Sequence, residues 1–223
     1  MNTSMQTYLV TQEDRSAGRS TTEIVEAAID GGIDIVQLRE KETTARRRYE
    51  IGQTVRTQTA QAGVTFLVND RVDLAAAVNA DGVHLGDDDL PVTAAREVLG
   101  QDAIIGRSVS TPAAAQRAED IGADYLGVGA VYPTGTKDVT AESAEIGPKT
   151  VTAITDAVSI PVIGIGGITP SNTTEVIRAG ADGVAVVSAI TTADDPAAAT
   201  RKLQGSVDTA SVESQLPSEE PSA

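Results

Sequence analysis

Gln37, Arg39 and Lys41 stand two residues apart at the end of the apolar run Ile33-Asp34-Ile35-Val36. Alternate residues of a strand share a face, so this spacing sends an amide and two cations one way, Val36 and Leu38 the other. Cations on such a face need water or an anion. For the trio alone, a solvated strand end before a helix start is the default reading, and the rest of the chain decides between it and an anion grip. Similar stations follow along the chain. Asn69-Asp70 ends the apolar run Thr65-Phe66-Leu67-Val68, and Gly86-Asp87-Asp88-Asp89 follows Gly82-Val83-His84-Leu85. Asp70 and Asp89 are a pair of hard oxygen donors of the kind magnesium shares with water and phosphate. Ser108 is one hydroxyl donor, and Thr134-Gly135-Thr136-Lys137 offers two more with a cation, without the spacing of a nucleotide P-loop. Gly166 and Gly167 allow close backbone approach to an oxyanion, and Val187-Ser188 precedes a further helix start. There is no cysteine, and His84 is the one histidine. Placed inside a strand, it reads as packed or supporting rather than catalytic. No nucleophile–base pair is visible. The chemistry implied is the holding and neutralising of anions.

Those residues need a scaffold that brings strand ends together. A strand–helix rhythm repeats eight times: strands at Tyr8-Leu9-Val10, Ile33–Leu38, Thr65–Val68, Gly82–Leu85, Ala103–Gly106, Tyr125–Val128, Pro161–Ile165 and Gly183–Val187. Helices are predicted between them, with the last at Pro196–Leu203. Gly31-Gly32-Ile33-Asp34, Gly122-Ala123-Asp124 and Gly180-Ala181-Asp182 each suit a helix-capping glycine leading into a strand. Eight such units in roughly 200 residues predict an α/β fold, a (β/α)8 TIM barrel forming a single domain over residues 1–204. An open doubly wound sheet is the alternative. In a barrel every station above falls on one rim, and the rim after the seventh and eighth strands is the usual phosphate position. Residues 205–223, polar and acidic, are expected to form a disordered tail.

Composition sets the remaining bounds. The 223 residues carry a net charge of -15. Such acidity opposes binding to a phosphate backbone, so nucleic acid is not an expected partner. It suits solubility in concentrated salt, where screening weakens self-repulsion. No apolar run approaches a membrane span and no secretory signal is seen, which predicts a cytoplasmic protein without a membrane partner. Only Lys41, Lys137, Lys149 and Lys202 are lysines, so two of four fall in the stations above.

Taken in order, Gln37-x-Arg39-x-Lys41, Asn69-Asp70, His84-Leu85-Gly86 through Asp89, Gly106-x-Ser108, Pro133-Thr134-x-Thr136-Lys137, Gly164-Ile165-Gly166-Gly167-Ile168 and Val187-Ser188 resemble the thiamine phosphate synthase family. The resemblance spans nearly all of the chain except the acidic tail. It implies a transferase that joins a hydroxymethylpyrimidine diphosphate to a (carboxy)thiazole phosphate and releases pyrophosphate. It also implies that Gln37, Leu38, Arg39, Glu40, Lys41, Asn69, Ser108 and Lys137 hold the pyrimidine diphosphate, with Arg39, Lys41, Lys137 and Ser108 stabilising the leaving group. Thr134, Gly135, Thr136, Gly166, Gly167, Val187 and Ser188 would hold the thiazole phosphate. Asp70 and Asp89 would hold Mg2+. The expected partners are these two small molecules, with a homodimer left open. Asp87 stands where the family usually has glutamine, which leaves open which of Asp87, Asp88 and Asp89 meets the cation. Arg107 lies opposite Ser108 by strand alternation and is read as structural. A thiazole tautomerase-like barrel and a non-catalytic thiazole phosphate-binding protein are the competing readings.

Overall fold

A computed structural model describes residues 5–135 and 145–214. Eight parallel strands close on themselves in sequence order, with β8 returning to β1. The strands are β1 (Thr7–Val10), β2 (Ile35–Leu38), β3 (Thr65–Asn69), β4 (Gly82–Leu85), β5 (Ile104–Val109), β6 (Tyr125–Val128), β7 (Val162–Ile165) and β8 (Gly183–Val186). The helices are α1 (Thr21–Asp30), α2 (Ala45–Ala62), α3 (Val72–Ala77), α4 (Val92–Leu99), α5 (Pro112–Asp120), α6 (Gly147–Thr155), α7 (Thr173–Arg178), α8 (Ser188–Thr191) and α9 (Pro196–Ser214). The predicted barrel is therefore the fold, and the open sheet is excluded.

Local chemistry sets the helix ends. Ser20 and Glu23 form a reciprocal capping box at α1, which satisfies donors that the first turn leaves over. Thr44 caps α2, and Gly63 ends it in the left-handed region at φ 70. Thr111 caps α5 ahead of Pro112. Strand alternation then divides the core in two. Tyr8, Val10, Ile35, Leu67, Tyr125, Ile163 and Ala185 fill the barrel interior. Leu9, Val36, Leu38, Phe66, Val68, Val83 and Leu126 pack outward beneath the helices.

The N-terminal end of the barrel carries a fourfold device. Asp34, Asp81, Asp124 and Asp182 each precede an even strand and accept a backbone N–H near the start of the odd strand before it. The donors are Thr7, Phe66, Ile105 and Val162, at 2.8, 2.8, 2.6 and 2.8 Å. Each aspartate N–H donates back to the carbonyl of the same residue. Three of the four lie in the glycine-led turns noted in the sequence.

One expected boundary is corrected. The last helix does not stop at Leu203, and residues 205–214 are not a tail. α9 continues to Ser214 and buries Leu203, Val207 and Ala210 against the barrel layer. These apolar positions recur at helical spacing within a polar sequence, which hid them. Residues 215–223, the rest of the expected tail, lie outside the described residues. Among the described residues, no helix is long and apolar enough to cross a membrane.

Candidate active site

The barrel interior ends toward the C-terminal rim in polar side chains. Gln37 continues the inward row of Ile35 on β2 and is buried. Its amide nitrogen donates to the Tyr8 hydroxyl at 2.5 Å. Asn69 follows Leu67 in the same way on β3, and Ser108 follows Gly106 on β5. Arg39 lies beyond Gln37, with its backbone N–H on Thr11 Oγ1 at 3.1 Å and its guanidinium on Gln12 Oε1 at 3.3 Å. Lys41 crosses to the next strand end and meets Asp70 at 3.3 Å. Its loop is pinned from α2, because Arg48 donates to the carbonyls of Glu40 and Lys41.

Leu38 and Glu40, expected among the diphosphate-binding residues, turn their side chains elsewhere. Leu38 packs in the outer core. The Glu40 carboxylate is buried and accepts from Thr11 Oγ1, Thr21 Oγ1 and the Glu13 backbone N–H at 2.6, 2.8 and 2.8 Å. Strand alternation is the reason, since both occupy outward positions. Neither side chain reaches the mouth, and only their backbone can serve a ligand.

Asp70 adopts φ 63, a left-handed conformation rare outside glycine. Asp89 closes its own loop by accepting the Gly86 N–H at 2.6 Å. Burial first, and then the neighbouring Asp70 carboxyl, push the Asp89 carboxyl up from its ordinary value, against the opposing pull of Gly86 N–H and Lys41. The two carboxylates are thus neighbours whose negative charges oppose one another. A depression of about 510 Å³ opens beside them, lined also by Arg71 and Asp88. Asp87 is drawn away into a 2.6 Å pair with Arg107, which also donates to the Leu85 carbonyl. Asp89 is therefore the member of the acidic run that faces Asp70, and Arg107 has the structural place expected of it.

On the other side of the mouth, β7 runs into Gly166 and Gly167 at φ 97 and 64. A methyl group at Gly166 would meet the Ala130 Cβ at 2.6 Å, and one at Gly167 the Pro133 carbonyl at 2.6 Å. Glycine is required here by conformation and by the close-lying loop after β6. The Gly166 carbonyl accepts from Tyr132 N–H and that of Gly167 from Asn172, so what the turn offers a ligand is N–H groups. Val187 precedes α8 and Ser188 opens it, placing the unpaired N–H groups of a helix start next to this turn. Thr134 and Gly135 lie nearby, since Tyr132 and Pro133 pack on Gly167. The Tyr132 hydroxyl holds that loop to α7 through Glu175 at 2.7 Å. Thr136 and Lys137 lie outside the described residues.

The sequence reading takes His84 as packed or supporting but misses its partners Tyr8 and Tyr125. Tyr8, Tyr125 and His84 link Gln37 to Ser108 through the barrel interior. The hydroxyls of Tyr8 and Tyr125 are 2.9 Å apart, Tyr125 is 2.8 Å from His84 Nδ1, and His84 Nε2 is 2.9 Å from Ser108 Oγ. The signal available was period two: Tyr8, Tyr125 and His84 occupy inward positions of their strands.

A closed parallel barrel whose C-terminal rim gathers cations, paired carboxylates and glycine turns defines a class, the (β/α)8 barrel enzymes. The family is narrower: residues 7–190 match the model described as thiamine monophosphate synthase, and the chain belongs to that family. The thiamine-phosphate synthase of Natronomonas pharaonis is 64% identical over 201 residues, covering 90% of this chain and 94% of that protein. That of Haloarcula marismortui is 61% identical over 202 residues, covering 90% and 96%. Among solved structures, thiamine phosphate pyrophosphorylase from Pyrococcus furiosus superposes with a TM-score of 0.86 at 39% identity, covering 93% of this chain and 98% of that one.

Proposed function

We propose that this chain is a thiamine-phosphate synthase, a transferase that joins a hydroxymethylpyrimidine diphosphate to a thiazole phosphate. In the reaction the bond from the pyrimidine methylene carbon to the diphosphate oxygen breaks, and the diphosphate leaves with the electron pair. The lone pair of the thiazole nitrogen then forms the new carbon–nitrogen bond to the pyrimidinylmethyl cation. Since that nitrogen arrives with a free pair, bond formation needs no protein base. The protein's task is to hold negative charge on the leaving group and to align two anionic substrates.

The observation that carries the reading is the Lys41–Asp70 pair beside Asp89, on the same rim as the glycine turn after β7. Arg39, Lys41, Ser108 and Lys137 bind the departing diphosphate, while Gln37 and Asn69 orient the pyrimidine end from the barrel mouth. Thr134, Gly135, Thr136, Gly166, Gly167, Val187 and Ser188 hold the thiazole phosphate.

Asp70 and Asp89 fit Mg2+. Both are oxygen donors whose mutual repulsion a cation would relieve, and magnesium takes one or two carboxylates with water and phosphate. Among the described residues no group of three or more His, Cys, Asp or Glu side chains is poised to hold a metal, so the ion would rest on these two carboxylates with water and substrate oxygens. When bound, the ion supplies neutralisation of charge on diphosphate oxygens. A tautomerase or a thiazole phosphate-binding protein would have no use for the cation and carboxylate half of this rim. The acidic surface suits activity in a cytoplasm of high salt.

The test is pyrophosphate release with both substrates, with and without magnesium, at low and high salt. Release that requires both substrates and the metal is expected. Binding of the thiazole phosphate without any binding of the diphosphate would overturn the reading.

A further inference from the structure

Gln37 on β2 and Ser108 on β5 both reach the mouth, and the chain Gln37–Tyr8–Tyr125–His84–Ser108 joins them through the interior. The barrel is cleared for it. A methyl at Gly106 would strike the Tyr125 ring, and one at Gly127 would lie 2.7 Å from His84 Cε1. Both glycines occupy inward positions, so two strands give up interior volume to seat these rings.

Each member has a fixed stock of hydrogens. An amide nitrogen can only donate, so the Tyr8 oxygen accepts from Gln37. Burial raises both phenols far above their ordinary range, so each keeps one proton to give. Among the described residues Tyr8 has two side-chain partners, Gln37 and Tyr125. If Tyr125 donated to Tyr8, the Tyr8 hydrogen would be buried without an acceptor, a costly arrangement. Tyr8 therefore donates to Tyr125, and Tyr125 donates to His84 Nδ1. That nitrogen must carry a lone pair, so the ring proton sits on Nε2 and is given to Ser108 Oγ. The Ser108 hydrogen is left to point into the mouth.

We propose that this chain runs one way, making Tyr8, Tyr125 and His84 positioning residues that fix the His84 tautomer and hold Ser108 as a hydrogen donor to a phosphate oxygen. An undirected hydroxyl spends part of its time accepting; this one is committed to donating, which suits an anion. The ligand half rests on the reaction proposed above, and the tautomer half does not.

His84 is the one histidine, so its nitrogens need no assignment in a spectrum. Long-range 1H–15N spectra of the ligand-free, histidine-labelled protein at about pH 8, above the ordinary imidazole range, read the tautomer directly. The Nε2–H form is expected. An Nδ1–H form overturns the proposal, because the chain would then run backward and Ser108 would donate into the ring. Tyr125→Phe, with Tyr8→Phe as a second variant in case the first folds poorly, is expected to give mixed tautomers. Calorimetry with magnesium pyrophosphate is expected to show Tyr125→Phe binding about tenfold more weakly, the equivalent of one hydrogen bond. Thiazole phosphate affinity should be unchanged. Ser108→Ala should show the same loss, and the double variant no more. A Tyr125→Phe protein that binds pyrophosphate as tightly as wild type overturns the positioning role. A wild type that binds none overturns the proposed reaction instead, with the tautomer result standing apart.

Discussion

At the N-terminal end of the barrel, Asp34, Asp81, Asp124 and Asp182 each accept a backbone N–H and return one of their own. At the C-terminal end, Asp70 and Asp89 lie against each other, with Lys41 as the nearby cation. One residue type thus has opposite standing at the two ends. The lower carboxylates accept backbone N–H groups of neighbouring strands and tie those strands together. The upper pair has its charge left over, and Asp70 holds a backbone conformation that its side chain does not favour. An acidic group with its partners supplied is a fastening, whereas one short of a partner is an opening for a ligand.

The contrast is sharpest in turnover. Lys41→Ala or Asp70→Ala should reduce turnover by about 10³-fold or more, the scale of losing a group that stabilises developing charge. Thermal unfolding should barely move, and near-normal activity would break the contrast. At the lower end Asp34→Ala removes bonds from the Thr7 N–H and hydroxyl. It should lower stability by about 1–3 kcal/mol in denaturant unfolding, while the folded enzyme keeps its turnover. A large activity loss without a stability loss would reverse the roles assigned to the two ends. Ser20→Ala, which opens the capping box of α1, should cost about 1 kcal/mol, again without effect on turnover. The smallest change in stability belongs to Asp70→Gly. Releasing the left-handed conformation should raise stability by up to about 1 kcal/mol in a protein that no longer turns over. A loss of stability there would show that Asp70 also fastens the fold.

Much of this contrast was legible before any coordinates. The glycine-led turns ahead of Asp34, Asp124 and Asp182 marked the lower end, and period two put Gln37 on one face with Arg39 and Lys41 and set Arg107 opposite Ser108. The turn before Asp81 uses Asn79 at φ 53 in place of glycine, so its membership of the set was invisible. Glu40 looked like part of the anion site because it sits between Arg39 and Lys41, yet alternation turns it toward Thr11 and Thr21. Asp89 could not be separated from Asp87 in a run of three aspartates. The separation comes from Arg107 on the adjacent strand, a contact between residues 20 apart. The Tyr8–Tyr125–His84 link joins strands that no local pattern pairs. The end of α9 was lost because its buried face is made of few and small side chains.

The closure of β8 onto β1, with Thr7 beside Val184 and Leu9 beside Val186, also bears on how the molecule is made. The seal joins the first and last of the eight strands, and the bond from Thr7 to Gln204 spans a similar sequence distance. Contacts of such separation are slow to form. Until the last strand arrives, the nascent sheet carries two open edges, and open edges recruit other chains. A growing chain of this protein is therefore most exposed to misassembly just before β8 is added. Its edge strands β1 and β7 are then the segments a chaperone would most usefully shield.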